Sequence, residues 1–149
     1  MDNPDITVYI ANYNYSKYLE KCILSIVNQT FKNFDIIIDD GSIDNSKRII
    51  QKYFSHFNHV IFQDNYGLIK SNNRALSLAK GTYIIRVDSD DYLRADALEI
   101  LYREAIKNTD CTLIFPDYYL VNEDGMIMSQ YIRFNFKNDV TLKYLLQMI

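Results

Sequence analysis

Three aspartates stand within four positions of the segment GTYIIRVDSDDYL: Asp88, Asp90 and Asp91. A second acidic pair, Asp39-Asp40, closes the apolar run FDIIIDDGS. Carboxylates gathered at the ends of buried strands repel one another and lose hydration, so they need a positive partner. The spacing Asp-x-Asp at a strand end suits a hard divalent cation. Mg2+ or Mn2+ takes oxygen ligands octahedrally, through one or two carboxylates and the phosphates of a substrate. Such a cation neutralises charge that develops on a leaving phosphate. The partner expected here is therefore a metal carrying a diphosphate. Taken alone, an Asp-x-Asp match more often marks a solvated turn, and its place behind a strand is what gives it weight. Asp40 is suited to accept a hydrogen bond from the imide N–H of a pyrimidine base, with Gly41 letting the backbone come close. The competing reading of that pair is a turn capping the next helix, a task for which Asp44 is better placed than Asp40.

These residues need a frame that brings strand ends together, and the chain alternates strand-like with helix-like segments. Ile6–Ala11 is a β-branched run. Leu19, Cys22, Ile23, Ile26 and Val27 then recur at helical spacing, with Ser16 as the expected cap. Phe34–Asp39 has almost no polar alternation, which implies cover on both faces, as in a parallel sheet. Asp44 opens a helix through Ile49, Ile50, Tyr53 and Phe54, and Val60–Gln63 is a short strand. Leu68–Ala79 reads as a helix stopped by Gly81, and Tyr83–Val87 is the strand leading into the acidic cluster. Leu98, Leu101, Tyr102 and Ala105 mark a further helix, and Thr112–Phe115 a fifth strand. Tyr118–Val121 and Met126–Ser129 flank a hairpin turn with Gly125, and Asp139 precedes a short amphipathic helix through Leu142, Leu145, Leu146 and Ile149. Repeated β-α units imply an open, mainly parallel α/β sheet with helices on its faces, whose ligands bind at the carboxyl ends of the strands.

The bulk properties narrow the function. A chain of 149 residues is one domain's worth, long enough to bury roughly 70% of its unfolded surface. A net charge of −3 offers no general grip on nucleic acid or anionic lipid. Cys22 and Cys111 lie inside apolar patterns, as buried free thiols of a reducing compartment do. No C-x-x-C occurs, and His56 and His59 have no clustered Cys or His, so no zinc site is expected. The N-terminal MDNPDITVYI lacks a secretory pattern, and no run approaches the ~18 apolar residues of a membrane span. A cytoplasmic location is the expectation.

The stretches TVYIANYNYSKYLEKCILSIVNQTFKNFDIIIDDGSIDNS and DNYGLIKSNNRALSLAKGTYIIRVDSDDYL resemble the nucleotide-binding half of a family 2 glycosyltransferase, an inverting enzyme of the GT-A fold. The resemblance runs from about Ile6 to about Gly125 through four motifs in order. It implies that Ala11, Asn12, Tyr13 and Asn14 line a nucleotide pocket, and that Asp40 contacts the base. It puts the segment from Asn65 through Gly67 and Asn72 to Asn73 beside base and phosphates. Asp88 then lies by the ribose and the metal, Asp90 is the principal ligand of Mn2+ or Mg2+, and Asp91 supports them. The implied donor is a nucleotide-diphosphate sugar, a UDP-sugar first. The implied acceptor is a saccharide or lipid-linked hydroxyl, in glycan or polysaccharide synthesis. The chain departs from the family pattern at three places. Ala11-Asn12 stands where Pro-Thr is usual, Ser71-Asn72 where Ala-Arg is usual, and Ala95 where a proline opens a helix. The absent basic residue at 72 leaves Lys70 or Arg74 to replace it. Family members continue well beyond this length, with the acceptor site and a carboxylate base in the later part. The base is therefore expected beyond residue 149, the fold is expected truncated on its C-terminal side, and membrane association through the acceptor or that missing part is expected. The Leu142–Ile149 helix is the candidate self-association patch.

Three other readings compete. A glycosyltransferase-derived module binding nucleotide or a partner without catalysis shares every feature above. A phosphorelay receiver also gathers Mg2+ among an acidic pair and a later aspartate, but Ile6–Ala11 would be an extra strand, and Pro116-Asp117 stands where a lysine should close the fifth. A sugar nucleotidyltransferase needs a glycine-rich, arginine-bearing loop after the first strand, where this chain has Asn12-Tyr13-Asn14-Tyr15.

Overall fold

The computed structural model describes residues 3–108 and 113–132, and at positions 39 and 40 the backbone alone. The chain divides into two compact units, Met1–Lys107 and Asn108–Ile149. In the first, β1 (Ile6–Asn12), β2 (Phe34–Asp40), β3 (His59–Phe62) and β4 (Tyr83–Asp88) form a parallel sheet in the order β3-β2-β1-β4. Between them run α1 (Ser16–Val27), α2 (Ser46–Lys52), a 3-10 turn at Phe54–His56 and α3 (Leu68–Leu78), and α4 (Ala97–Lys107) follows β4. The chain steps outward from β1 to β3 and then returns to the other side of β1. The switch point of the sheet is therefore the β1–β4 boundary.

Strand alternation builds two apolar layers. Ile6, Val8 and Ile10 of β1 join Ile36 and Ile38 of β2 on one face, under Leu19, Cys22, Ile23 and Ile26 of α1. Each of these isoleucines, sealed from water, contributes about 2 kcal/mol relative to exposure. The opposite face carries Tyr9, Ile37 and Ile61 against Ala75 of α3. On β4 the two faces differ: Val87 is buried with the first layer, whereas Ile84 and Arg86 are exposed on the other.

The strand ends are longer than their apolar runs, because the parallel ladder carries Asn12, Asp40 and Asp88 into β1, β2 and β4. Other expectations change. Ser16 does not cap α1. It is the first helical residue, and its N–H donates to the Asp44 carboxylate at 2.9 Å. Phe54 leaves the helical face and is exposed, since α2 ends at Lys52 and Phe54 opens a separate 3-10 turn. Gly81 is not a helix stop, since α3 ends at Leu78. A Cβ at Gly81 would collide with the backbone of β1, meeting the Ile6 carbonyl carbon at 2.6 Å and the N of Thr7. Close passage beneath β1 demands this glycine.

In the second unit, β5 (Tyr118–Val121) and β6 (Ile127–Tyr131) form an antiparallel hairpin. Gly125 turns it at φ 81°, and the Asn122 side-chain oxygen accepts the N–H groups of Asp124 and Met126. Leu113–Phe115 form no strand: Leu113 and Phe115 are exposed, and Pro116 offers no N–H to a ladder. Cys111, Thr112, Asp139 and the Leu142–Ile149 helix lie outside the described residues.

Candidate binding cleft at the strand ends

The register sets three polar strand ends side by side, Asn12 opposite Asp40 and Ala11 opposite Asp88. A cleft of about 470 Å³ opens above them. Ala11, Asn12 and Tyr13 line it from β1, Asn65 and Gly67 from the loop before α3, and Asp88, Ser89 and Asp90 from the end of β4. With Gly41 from the loop after β2, four segments remote in sequence converge.

The walls of the cleft are held by hydrogen bonds between loops. The Ser42 hydroxyl oxygen accepts the Asn12 side-chain N–H at 2.9 Å and the Asn14 backbone N–H at 2.8 Å. Asn14 takes a left-handed φ of 60°, and its side-chain oxygen accepts the Ile43 N–H at 3.0 Å. Asn14 therefore staples the β1 loop to the β2 loop and does not line the cleft. A Cβ on Gly41 would stand 3.1 Å from the Asn65 Cα, so the close backbone approach at Gly41 is to the neighbouring loop. Gly67 turns into α3 at φ 84°, donating its N–H to the Asn65 side chain at 3.0 Å.

Asp44 anchors the same side. Its carboxylate accepts the first N–H of α1, from Ser16, and the first N–H of α2, from Ser46, each at 2.9 Å. Burial pushes this carboxyl up, but hydrogen bonds from Ser46 and Ser16 outweigh it and hold the pKa down at about 2. Two helix N-termini share one anion there.

Backbone hydrogen bonds tie down the acidic loop. Ser89 is buried and donates its N–H to the Ala11 carbonyl at 3.1 Å, extending the ladder, while the Asp91 N–H turns back to the Asp88 carbonyl at 2.9 Å. Behind it the Cys22 thiol contacts the same carbonyl at 3.7 Å. Burial first, then the charges of Asp91, Asp88 and Asp90, push that thiol up to about 12. Burial also raises the Asp91 carboxyl, with Asp90 and Asp88 adding to it.

Asp88 has a protein counter-ion. Arg86, two residues back on the same face of β4, donates from Nε and a terminal nitrogen to the two Asp88 oxygens, both at 2.8 Å. Asp90 is exposed on the cleft and has no hydrogen-bond or ion-pair partner among the described residues. No three His, Cys, Asp or Glu side chains converge as a metal cage among those residues. That donor set fits a hard divalent cation arriving with a diphosphate, because such a cation needs one or two carboxylates and takes its other oxygens from phosphate and water.

The remaining expected residues divide. Asn72 lies on α3 outside the cleft lining, its side-chain oxygen buried and without a hydrogen-bond partner. Asp40 is placed by its backbone at the end of β2. Lys70 lies over the Tyr66 ring at 3.6 Å, and Arg74 reaches the cleft only through Gln63, which it meets at 2.8 Å and which in turn donates to Ser71 at 2.9 Å. Ser71, within the segment expected beside base and phosphates, lines the cleft, and Tyr9, Tyr15, Gln63 and Arg86 also line it without having been expected there. Arg86 had a legible signal: two residues apart on a strand means one shared face.

The model of the glycosyl transferase family 2 matches residues 7–149. The chain is 35% identical over 129 residues to the chondroitin synthase of Escherichia coli, covering 85% of this chain and 19% of that protein. The same identity over the same length relates it to the hyaluronan synthase of Pasteurella multocida, of which it spans 13%. In structure it resembles TarS 1-349 of S. aureus in complex with UDP-GlcNAc, with a TM-score of 0.64 and 27% identity over 70% of this chain and 32% of that one. The chain thus spans less than a fifth of the length of these two synthases.

Proposed function

The chain belongs to glycosyl transferase family 2 and has the fold of that family's GT-A members, and from that premise we propose that its cleft binds a nucleotide-diphosphate sugar for inverting transfer to an acceptor hydroxyl. The observation that carries this reading is the convergence of Tyr13, Gly41, Asn65, Gly67, Asp88 and Asp90 from four loops on one cleft at the carboxyl ends of a parallel sheet. One domain suffices to present that cleft. A UDP-sugar is the favoured donor, since TarS, a relative by fold, is a UDP-GlcNAc complex. Asp40 at the end of β2 is the base-reading carboxylate in this reading, and Tyr13 lines the cleft beyond the end of β1.

Asp90 would hold Mn2+ or Mg2+, which when bound screens the charge left on the departing diphosphate. The chain's own residues do the positioning. The loop from Ser89 to Asp91 holds its carboxylates at fixed height, and the Gly67 turn brings the start of α3 to the cleft rim. The acceptor is a saccharide or lipid-linked hydroxyl of a growing glycan, and no described residue is assigned as its general base. A cytoplasmic setting accords with the buried thiol of Cys22. No helix among the described residues is long and apolar enough to cross a membrane.

Calorimetric and thermal-shift titration with UDP, GDP and dTDP, each with and without Mn2+, tests the proposal. Saturation at ~100 times Kd adds about 2.7 kcal/mol, a rise of roughly several degrees in Tm for this size. A Mn2+-dependent rise with UDP above the others is expected. No rise with any nucleotide overturns the reading.

A further inference from the structure

Among the described residues that line the cleft, Arg86 is the one basic side chain, in a lining that also holds Asp88 and Asp90. Its guanidinium engages Asp88 as a fork, with a planar donor pair matched to the two carboxylate oxygens. The fork is built into β4 by the two-residue repeat of the strand, so no loop has to move to form it. Neither side chain is sealed from water: Arg86 is 38% exposed and Asp88 44%. Exposure limits what the pair is worth, but the bidentate fork holds better than a single surface contact, so a cation reaching Asp88 must compete with the guanidinium.

Asp88 and Asp90 thus differ in what they offer a cation. A dication bound to Asp88 would sit next to the guanidinium charge and be repelled by it. Asp90 has no such neighbour among its contacts. We propose that Arg86 is a positioning residue that holds Asp88 back from the metal, so that the unequal work the family resemblance implies for Asp88 and Asp90 is imposed in this chain by its own arginine. The proposal rests on reading the cleft as a metal–nucleotide site. Charge balance follows from it, because one arginine neutralises one carboxylate of the pair and the cation meets the other. Tight metal binding in the absence of nucleotide is suppressed by the same arrangement.

The test is a Mn2+ titration of the whole chain without nucleotide, free Mn2+ being followed by its electron paramagnetic resonance signal. Arg86→Met is expected to bind Mn2+ roughly five- to tenfold tighter than the unmodified chain, since it removes a competing exposed ion pair and a repelling charge. Lys70→Met removes an equal charge from α3, outside the cleft lining, without freeing Asp88, and is expected to stay within about twofold. Arg86→Lys keeps the charge, loses the fork and falls between. Circular dichroism checks that each variant is folded, and Arg86→Lys stands in if the methionine variant is not. Mn2+ binding no tighter in Arg86→Met than in the unmodified chain, including none in either, overturns the proposal. Equal tightening by Lys70→Met also overturns it, because the effect would then be bulk charge. The UDP titration of the unmodified chain with Mn2+ separates the two levels: its failure removes the donor site, whereas its success beside an unchanged Arg86→Met removes only the role of Arg86.

Discussion

The side-chain oxygen of Gln29 accepts the backbone N–H of Leu98 at 2.9 Å, across 69 positions of sequence. The amide nitrogen of the same side chain donates to the carbonyls of Arg94 at 2.7 Å and Ser25 at 2.9 Å. Gln29 is fully buried. It joins the end of α1 to the start of α4 and to the chain that descends from the acidic loop. The Ser25 hydroxyl adds a bond from the Leu93 N–H at 3.1 Å. Gln29→Leu fills similar space but leaves a buried N–H and two carbonyls short of partners. A loss of about 2–4 kcal/mol in urea unfolding is expected, together with weaker nucleotide binding as the loop loosens. A variant as stable as the unmodified chain would show that these bonds do not hold the loop.

Two glycines are required for different reasons, and alanine separates them. At Gly81 a Cβ meets backbone on three sides, including the Tyr83 carbonyl oxygen at 2.8 Å, so β1 and β4 must part. Gly81→Ala is expected to lose about 3 kcal/mol. At Gly67 nothing lies within 4 Å of the added carbon, and the cost is its φ of 84° alone, about 1–2 kcal/mol. Urea midpoints in the reverse order would refute the close-approach account of Gly81.

Asp44 predicts an acid-sensitive anchor. Its folded pKa of about 2 lies below the ordinary 3.8. The stability it contributes is therefore complete above pH 3.8 and is lost as the pH falls through about 2. Asp44→Ala should cost about 1–2 kcal/mol at pH 7, and the gap between the two chains should close across that window. A gap that stays constant down to pH 2 would assign the effect to packing.

Asp90→Ala should abolish Mn2+-dependent UDP binding while leaving the melting temperature of the free chain equal or higher. Removing one carboxylate relieves the repulsion that, after burial, raises the Asp91 carboxyl. Metal-dependent affinity that survives the substitution would sink the assignment of Asp90 as the ligand.

What was legible in the sequence is what repeats locally. The spacing of Leu19, Cys22, Ile23 and Ile26 names α1 and its buried face without knowledge of any partner. The unbroken run Ile36–Ile38 announces a strand covered on both sides. Asp88 and Asp90 are legible as carboxylates placed behind a strand, a position that calls for positive partners, and the strand repeat already puts Arg86 on the face of Asp88. The hairpin turn at Gly125 is likewise local.

Long-range contact decided the rest. Asp44 looked like the cap of one helix and serves two, because the β1 and β2 loops lie side by side only once the ladder has formed. Gly81 looked like a helix stop, and its real constraint is the backbone of β1, more than seventy positions away in sequence. Asn14 looked like a pocket residue and became a staple between loops, since its left-handed backbone turns it toward Ser42 and Ile43. Leu113–Phe115 has the composition of a strand, but composition supplies no neighbour to pair with. By itself, then, the sequence determined the layers, the strand ends and the acidic groups they carry. Tertiary structure alone decided which loops touch and which carboxylates and helix ends share a partner across them, because those hydrogen bonds depend on distances that only the closed sheet sets.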